Sequence, residues 1–421
     1  MKTRHFVLLT AIFALLWGCD RGEMGYFYED TAQKRDVVIF YAAAANNISG
    51  MIADNIKTIE EGNLPQTESK KTLLIFSHLN VGQDSYLRQV SRNEYGEKQS
   101  DTLFTFEAGR SVLETEVMRT VLEEVRDRFP GSEYTLILSS HGSGWLPSGY
   151  YLNNQDPVST GLDIWTYPKR TGVEPAEAQD YPIFGPITKT FGSEWINYSH
   201  KSLEMEITHL ADALPMHFKT IVMDACLMGG VETAYQLRDV CDKLCVSAAE
   251  VPGAGFDYSR LTEALISDSG TPEAFSKAFY NLYVDDSEYG VTSATINTEG
   301  LETLAAVCKV LFEKYRLPIS KLRAEEVQRF YRIGRHYYFD LLDILVKAGI
   351  SEDERWILEN ALEMCVSYKA ASNEFMIDAD GFRIETYCGL SMYLPSESLA
   401  TPYLNDFYKG LEWNKATGLV E

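Results

Sequence analysis

Two short segments carry residue types suited to acyl transfer: Ser139-Ser140-His141-Gly142-Ser143-Gly144-Trp145 and Asp224-Ala225-Cys226-Leu227-Met228-Gly229. A cysteine thiolate attacks a carbonyl, and a histidine can take the thiol proton and return it to a leaving amine. Each segment follows a brief aliphatic or β-branched run, at 134–140 and 219–224, too short for a buried helix and therefore expected to be a strand. Both reactive side chains thus stand at the carboxyl ends of strands, the edge of an open α/β sheet where loops converge and ligands bind. The spacing of 85 positions from His141 to Cys226 is no obstacle, because such partners meet in the fold and not along the chain. Taken alone, Cys226 reads more readily as a buried structural thiol, and His141 as a satisfied histidine ending a strand. Their matched contexts point instead to a dyad.

Gly142 lacks a Cβ, so a substrate carbonyl can approach its backbone closely. Cys226 is expected where a strand hands over to a helix whose positive end would lower the thiol pKa. Asp224, two residues earlier, is placed to cap that same helix.

The elements that must hold these residues alternate in a βα rhythm. Residues 36–44 read as the first strand, and 48–61 as an amphipathic helix capped by Asn46 or Asn47 and stopped by Gly62 and Pro65. A second strand at 72–79, a hairpin at 86–106 turning near Gly96, and a long helix at 109–129 follow. Beyond the second motif, the pattern gives helix at 229–239, strand at 243–248, helices at 257–266 and 272–283, strand at 289–297, mainly helix to about 370, a strand-like segment at 386–395 and a terminal helix at 403–413. Between the two motifs, residues 142–203 show no sustained period, and long insertions of this kind are usually functional or flexible.

The two motifs resemble those of the clostripain-like cysteine peptidases, peptidase family C11, relatives of the caspases, legumains and gingipains. Tyr41-Ala-Ala-Ala-Ala-Asn46-Asn47-Ile48 after the first strand, Glu204-Met-Glu-Ile207 before the second motif, and Gly389-Leu-Ser-Met-Tyr-Leu-Pro395 near the end extend the resemblance over roughly residues 36–395. It implies an α/β fold, a caspase-like three-layer sandwich of a mostly parallel sheet with helices on both faces. It also implies a Cys226–His141 dyad, an oxyanion hole built from the amides of Gly142 and Cys226, and an Asp224 that meets a basic P1 side chain. For Asp224 the pocket and the capping readings both stay open. The resemblance further implies cleavage after a basic residue within the insertion, where Lys169, Arg170, Lys189 and Lys201 lie. Some relatives use calcium, but no twelve-residue Asp-rich loop is present, so calcium rests on the resemblance alone. The thiol chemistry itself requires no cofactor.

Composition bounds the partners. With 61 acidic against 38 basic residues, the formal charge of −23 argues against nucleic acid, which demands a basic footprint, and is compatible with a cationic substrate or simply with solubility. Apolar residues at 45% and charged residues at 24% describe an ordinary globular chain, with no repeat or low-complexity tract. Cys241, Cys245, Cys308, Cys365 and Cys388 are odd in number and irregular in spacing, so no disulfide framework is expected. Cys241 and Cys245 lack two further ligands for a metal site. His78, His200, His209 and His217 belong to no motif and read as structural or surface residues.

Lys2 and Arg4 precede the apolar run 6–17, which is too short to span a bilayer and reads as a secretory leader. Leu16-Trp17-Gly18-Cys19 resembles a bacterial lipobox, with Cys19 lipidated and forming the mature N-terminus; Trp17 replaces the usual small residue, and ordinary signal-peptidase cleavage is the alternative. The expected organisation is a leader at 1–19, a tether at 20–35, a peptidase domain at 36–395 and a C-terminal helical extension at 396–421. The functional expectation is an exported, membrane-anchored cell-envelope endopeptidase that cleaves after Arg or Lys. Two rivals are a catalytically silent binding lipoprotein on the same fold and a transpeptidase using the same dyad.

Overall fold

Strand β1 (Asp36–Ala43) is buried from Val37 onward on both of its faces, as a central strand covered by helices on each side must be. The computed structural model to which it belongs describes residues 34–147, 191, 192, 194, 205–286, 288–332, 337–400 and 402–421. The expected leader with Cys19, most of the tether, His200 and the basic residues Lys169, Arg170, Lys189 and Lys201 lie outside the described residues. Residues 34–421 form one unit.

In chain order, β1 is followed by helix α1 (Ser49–Glu61), β2 (Lys71–His78), β3 (Ser85–Arg92), β4 (Lys98–Phe106), α2 (Thr115–Arg128) and β5 (Glu133–Ser139). Then come α3 (Ile207–Asp212), β6 (Phe218–Asp224), α4 (Val231–Gln236), β7 (Cys241–Val246), α5 (Pro272–Tyr283), β8 (Thr292–Asn297) and α6 (Leu301–Lys321). Finally β9 (Phe339–Asp340), α7 (Leu341–Lys347), α8 (Glu352–Cys365), β10 (Val366–Ala371), α9 (Pro402–Lys409) and α10 (Glu412–Thr417) complete the chain.

The main sheet has nine strands in the order β10-β8-β7-β6-β5-β1-β2-β3-β4. The five central strands β7, β6, β5, β1 and β2 run parallel, and antiparallel strands flank them on both sides. The parallel expectation therefore holds for the centre, within a mixed sheet. The chain leaves β1 toward β2 on one side and later reaches β5 on the other, so a topological switch point lies at β1, where α/β folds bind ligands.

Local departures have local causes. Helix α2 begins at Thr115, not 109, because Gly109 takes φ 96° and residues 109–114 turn instead. Strand β10 follows α8 with no glycine or proline to announce the change, and only antiparallel pairing with β8 draws Val366–Ala371 out of the helix. The apolar segment near 391 forms a two-residue ladder with β9. The terminal helix divides at Gly410 into α9 and α10, whose Tyr408 and Trp413 are fully buried. Tyr408 packs edge-on to Trp145 at 5.0 Å, and Tyr393 lies 4.7 Å from the same indole. The C-terminal segment thereby supports the loop that follows His141.

Candidate active site

Register explains the spacing of the two motifs. β5 and β6 are parallel neighbours with Ser139 opposite Asp224, so two residues further along each strand come His141 and Cys226. Both are buried at 5% exposure and line one small cavity with Ile48, Ser140, Asp224 and Val251. The cavity measures about 20 Å³, room for roughly one water. The side chain of Met51 on α1 lies over Gly253 on its rim: a Cβ added there would fall 2.1 Å from the Met51 sulfur.

Cys226 sits in a tight turn in which Leu227 adopts φ 64° and donates its amide to Ala249 O at 3.0 Å. The Val251 amide donates to Cys226 Sγ at 3.3 Å. The expected helix terminus is not beneath the thiol: α4 begins only at Val231 and is capped by Gly230. Nor is the thiol pKa lowered. Burial raises it, with Glu250 and Asp224 adding to the rise and the Val251 amide and Arg332 opposing it. The resting group is therefore a neutral thiol, and a base must take its proton. Glu250 itself is buried and paired with the Arg332 guanidinium at 2.9 Å.

The imidazole Nε2 of His141 lies 2.8 Å from Asn47 Oδ1. Gly142 packs on the turn that bears the cysteine: a Cβ there would meet Cys226 O at 2.4 Å and Cys226 N at 2.9 Å. Among the described residues, no backbone acceptor takes the amide hydrogen of Gly142 or of Cys226. Gly192 donates to His141 O at 2.9 Å, and Phe191 bridges Gly142 and Met205.

Asp224 does not cap α4. Its carboxylate accepts from Ser139 Oγ at 2.7 Å, from the Tyr258 hydroxyl at 2.6 Å and from the Phe256 amide. Burial pushes its pKa up while these three donors hold it down. Gly255, at φ 68°, lies against this carboxylate, with its Cβ position 2.8 Å from Asp224 Oδ1, so no other residue fits there without displacing the aspartate.

Sequence reasoning missed Asn47 as a histidine partner, Tyr258 as a support of Asp224, and the Glu250–Arg332 pair. In the sequence Asn47 stands out as a helix-start candidate and as part of the family-like block 41–48, neither of which ties it to His141, and the others carry no signal. His78 is structural: its Nδ1 lies 2.6 Å from Ser85 Oγ, its Nε2 3.6 Å from Glu194, and burial lowers its pKa to about 4. His209 is exposed, and His217 pairs at the surface with Asp242 at 2.7 Å. Cys241 and Cys245 are buried free thiols. Among the described residues, no group of three His, Cys, Asp or Glu side chains is arranged to hold a metal.

A family model described as the clostripain family, peptidase C11, matches residues 187–417, more than half of the chain. The chain belongs to the clostripain family. An inactive zymogen C11 protease from Parabacteroides distasonis is similar in structure, with 25% identity, a TM-score of 0.72, and 91% of this chain and 98% of that one covered. A secreted C11 cysteine protease from Bacteroides thetaiotaomicron, solved with an irreversible peptide inhibitor, shares the fold at 20% identity and a TM-score of 0.71, covering 91% of this chain and 99% of that one. No curated protein matches. Like the family it belongs to, this clostripain-family chain is a cysteine endopeptidase acting on peptide substrates.

Proposed function

We propose that this protein is an exported cysteine endopeptidase that cleaves after Arg or Lys, with Cys226 as nucleophile and His141 as general base and acid. The observation that carries the proposal is the β5–β6 register, which brings both residues to one cavity beside a buried carboxylate. His141 takes the Cys226 thiol proton as sulfur bonds to the scissile carbonyl carbon. The carbonyl oxygen becomes an oxyanion that accepts from the amides of Gly142 and Cys226. Collapse breaks the C–N bond, and His141 protonates the departing amine. Water, deprotonated by His141, then attacks the thioester, and the thiol regains its proton as the acid leaves.

Asp224 lies within the same cavity and would receive the basic P1 group through charge-assisted hydrogen bonds. A cavity of about 20 Å³ cannot hold an arginine side chain, so the Val251–Gly255 loop and Met51 must shift for substrate to enter. Export rests on the leader-like run at 6–17, and membrane attachment on lipidation of Cys19. Among the described residues no helix is long and apolar enough to cross a membrane. The chemistry uses no cofactor, and calcium enters only as a family trait.

The test is fluorophore release from matched Arg, Lys, Asp and Leu P1 peptides by protein beginning after Cys19, with and without calcium, beside Cys226→Ala. Turnover selective for Arg and Lys and lost in Cys226→Ala supports the reading. Equal turnover of all four peptides would sink the basic pocket. Persistence of activity in Cys226→Ala would sink the nucleophile.

A further inference from the structure

We propose that Asn47 is the positioning residue for His141, holding the imidazole ring in the orientation that serves Cys226. The proposal rests on the dyad reading. Its geometric basis is the order of three adjacent parallel strands, β1, β5 and β6. His141 follows the middle strand, Asn47 arrives from the β1 side and Cys226 from the β6 side, so the ring is approached from both flanks.

The backbone that delivers Asn47 is itself built. Ala44 N donates to His78 O at 2.9 Å, Asn46 Oδ1 accepts from Ile48 N at 3.0 Å, and Ser49 N donates to Asn46 O at 3.2 Å. The turn is thus tied to β2 before Asn47 and to the first turn of α1 after it. The Asn47 side chain is exposed, yet its Oδ1 lies 2.8 Å from His141 Nε2. Donation of the Nε2 proton to that oxygen leaves the lone pair of a neutral ring on Nδ1. Once the ring has taken the thiol proton, Nε2–H keeps the same acceptor, so the hydrogen bond persists through proton transfer.

The choice of an amide over a carboxylate fits the local field. Glu250 and Asp224 already oppose formation of the Cys226 thiolate. A neutral acceptor orients the ring without adding a third negative charge to the site.

The experiment compares the wild-type protein with Asn47→Ala, Asn47→Asp and His141→Ala, measuring kcat, KM and pH dependence on Arg and Lys P1 peptides. The pH dependence of Cys226 alkylation by iodoacetamide is recorded alongside and requires no turnover. Asn47→Ala should lower kcat roughly tenfold to a hundredfold with KM within about twofold and an unchanged melting temperature, because ring misplacement affects chemistry and not binding. Asn47→Asp should recover most of kcat, move the histidine limb of the pH profile to higher pH, and move Cys226 alkylation to lower pH, since a carboxylate behind the ring favours the imidazolium–thiolate pair. If His141→Ala turns over and alkylates like wild type, the dyad reading itself has failed. If His141→Ala is inactive while Asn47→Ala keeps kcat and its alkylation profile within about twofold of wild type, the dyad stands and the role of Asn47 is overturned.

Discussion

Gly142→Ala is the sharpest perturbation of the reacting centre. The new methyl would lie 2.4 Å from Cys226 O, 2.9 Å from Cys226 N and 2.9 Å from Ala225 Cβ, whereas ordinary contacts begin at 3.4 Å. The deficit against the carbonyl oxygen is about 1 Å, and neither a peptide group nor an alanine methyl can rotate away, so the two strand ends must part. Displacement on that scale costs about a hundredfold in rate, and loss of one oxyanion donor about a hundredfold to a thousandfold. Overpacking should cost ~1–3 kcal/mol of stability. The assay is kcat and KM on a basic P1 peptide, with iodoacetamide titration of Cys226 and a thermal melt to show that the folded site persists. Gly50→Ala, whose methyl meets nothing within 4 Å, is the control and should be silent or slightly stabilising. A folded Gly142→Ala with kcat within about threefold of wild type would refute the placement of the oxyanion beside this amide.

Three further outcomes are expected. Glu232 is buried with its pKa raised to about 7, so the folded chain holds a proton that the unfolded chain releases near pH 4.5; stability falls as pH rises through that window and levels above it. Glu232→Gln keeps acceptors for Tyr393 N and Tyr408 Oη and should flatten this loss, gaining up to ~3 kcal/mol at pH 8 and little at pH 4, as read from urea midpoints. Arg332→Ala leaves Glu250 buried without its cation and should cost ~3–5 kcal/mol, while slowing Cys226 alkylation because a cation that favours the thiolate is gone. Tyr258→Phe removes one of three donors from Asp224 and should cost ~1.5–3 kcal/mol, with a rise in KM for Arg and Lys peptides as the carboxylate becomes harder to ionise.

The sequence by itself determined the local grammar. Residues 134–139 and 218–224 are largely apolar or β-branched and short, so they form buried strands, and the small residues around the motifs make turns that present His141 and Cys226 at strand ends. The spacing between them is the β5–β6 register offset, and so a property of sequence that acquires meaning only when the strands pair. Strand order lay beyond reach, and with it everything that depends on which loops share an edge: Asn47 behind His141, Tyr258 and Ser139 on Asp224, and Glu250 with Arg332 near the thiol. These partners are distant in the chain and carry no local pattern, because a hydrogen bond across the sheet edge places no constraint on neighbouring residue types. The thiol's raised pKa was likewise decided by tertiary structure, since desolvation depends on what covers Cys226 and not on the residues beside it. Even β10 became a strand only because β8 was there to pair with it; its residues alone read as more helix, and nonlocal hydrogen bonding outweighed that preference.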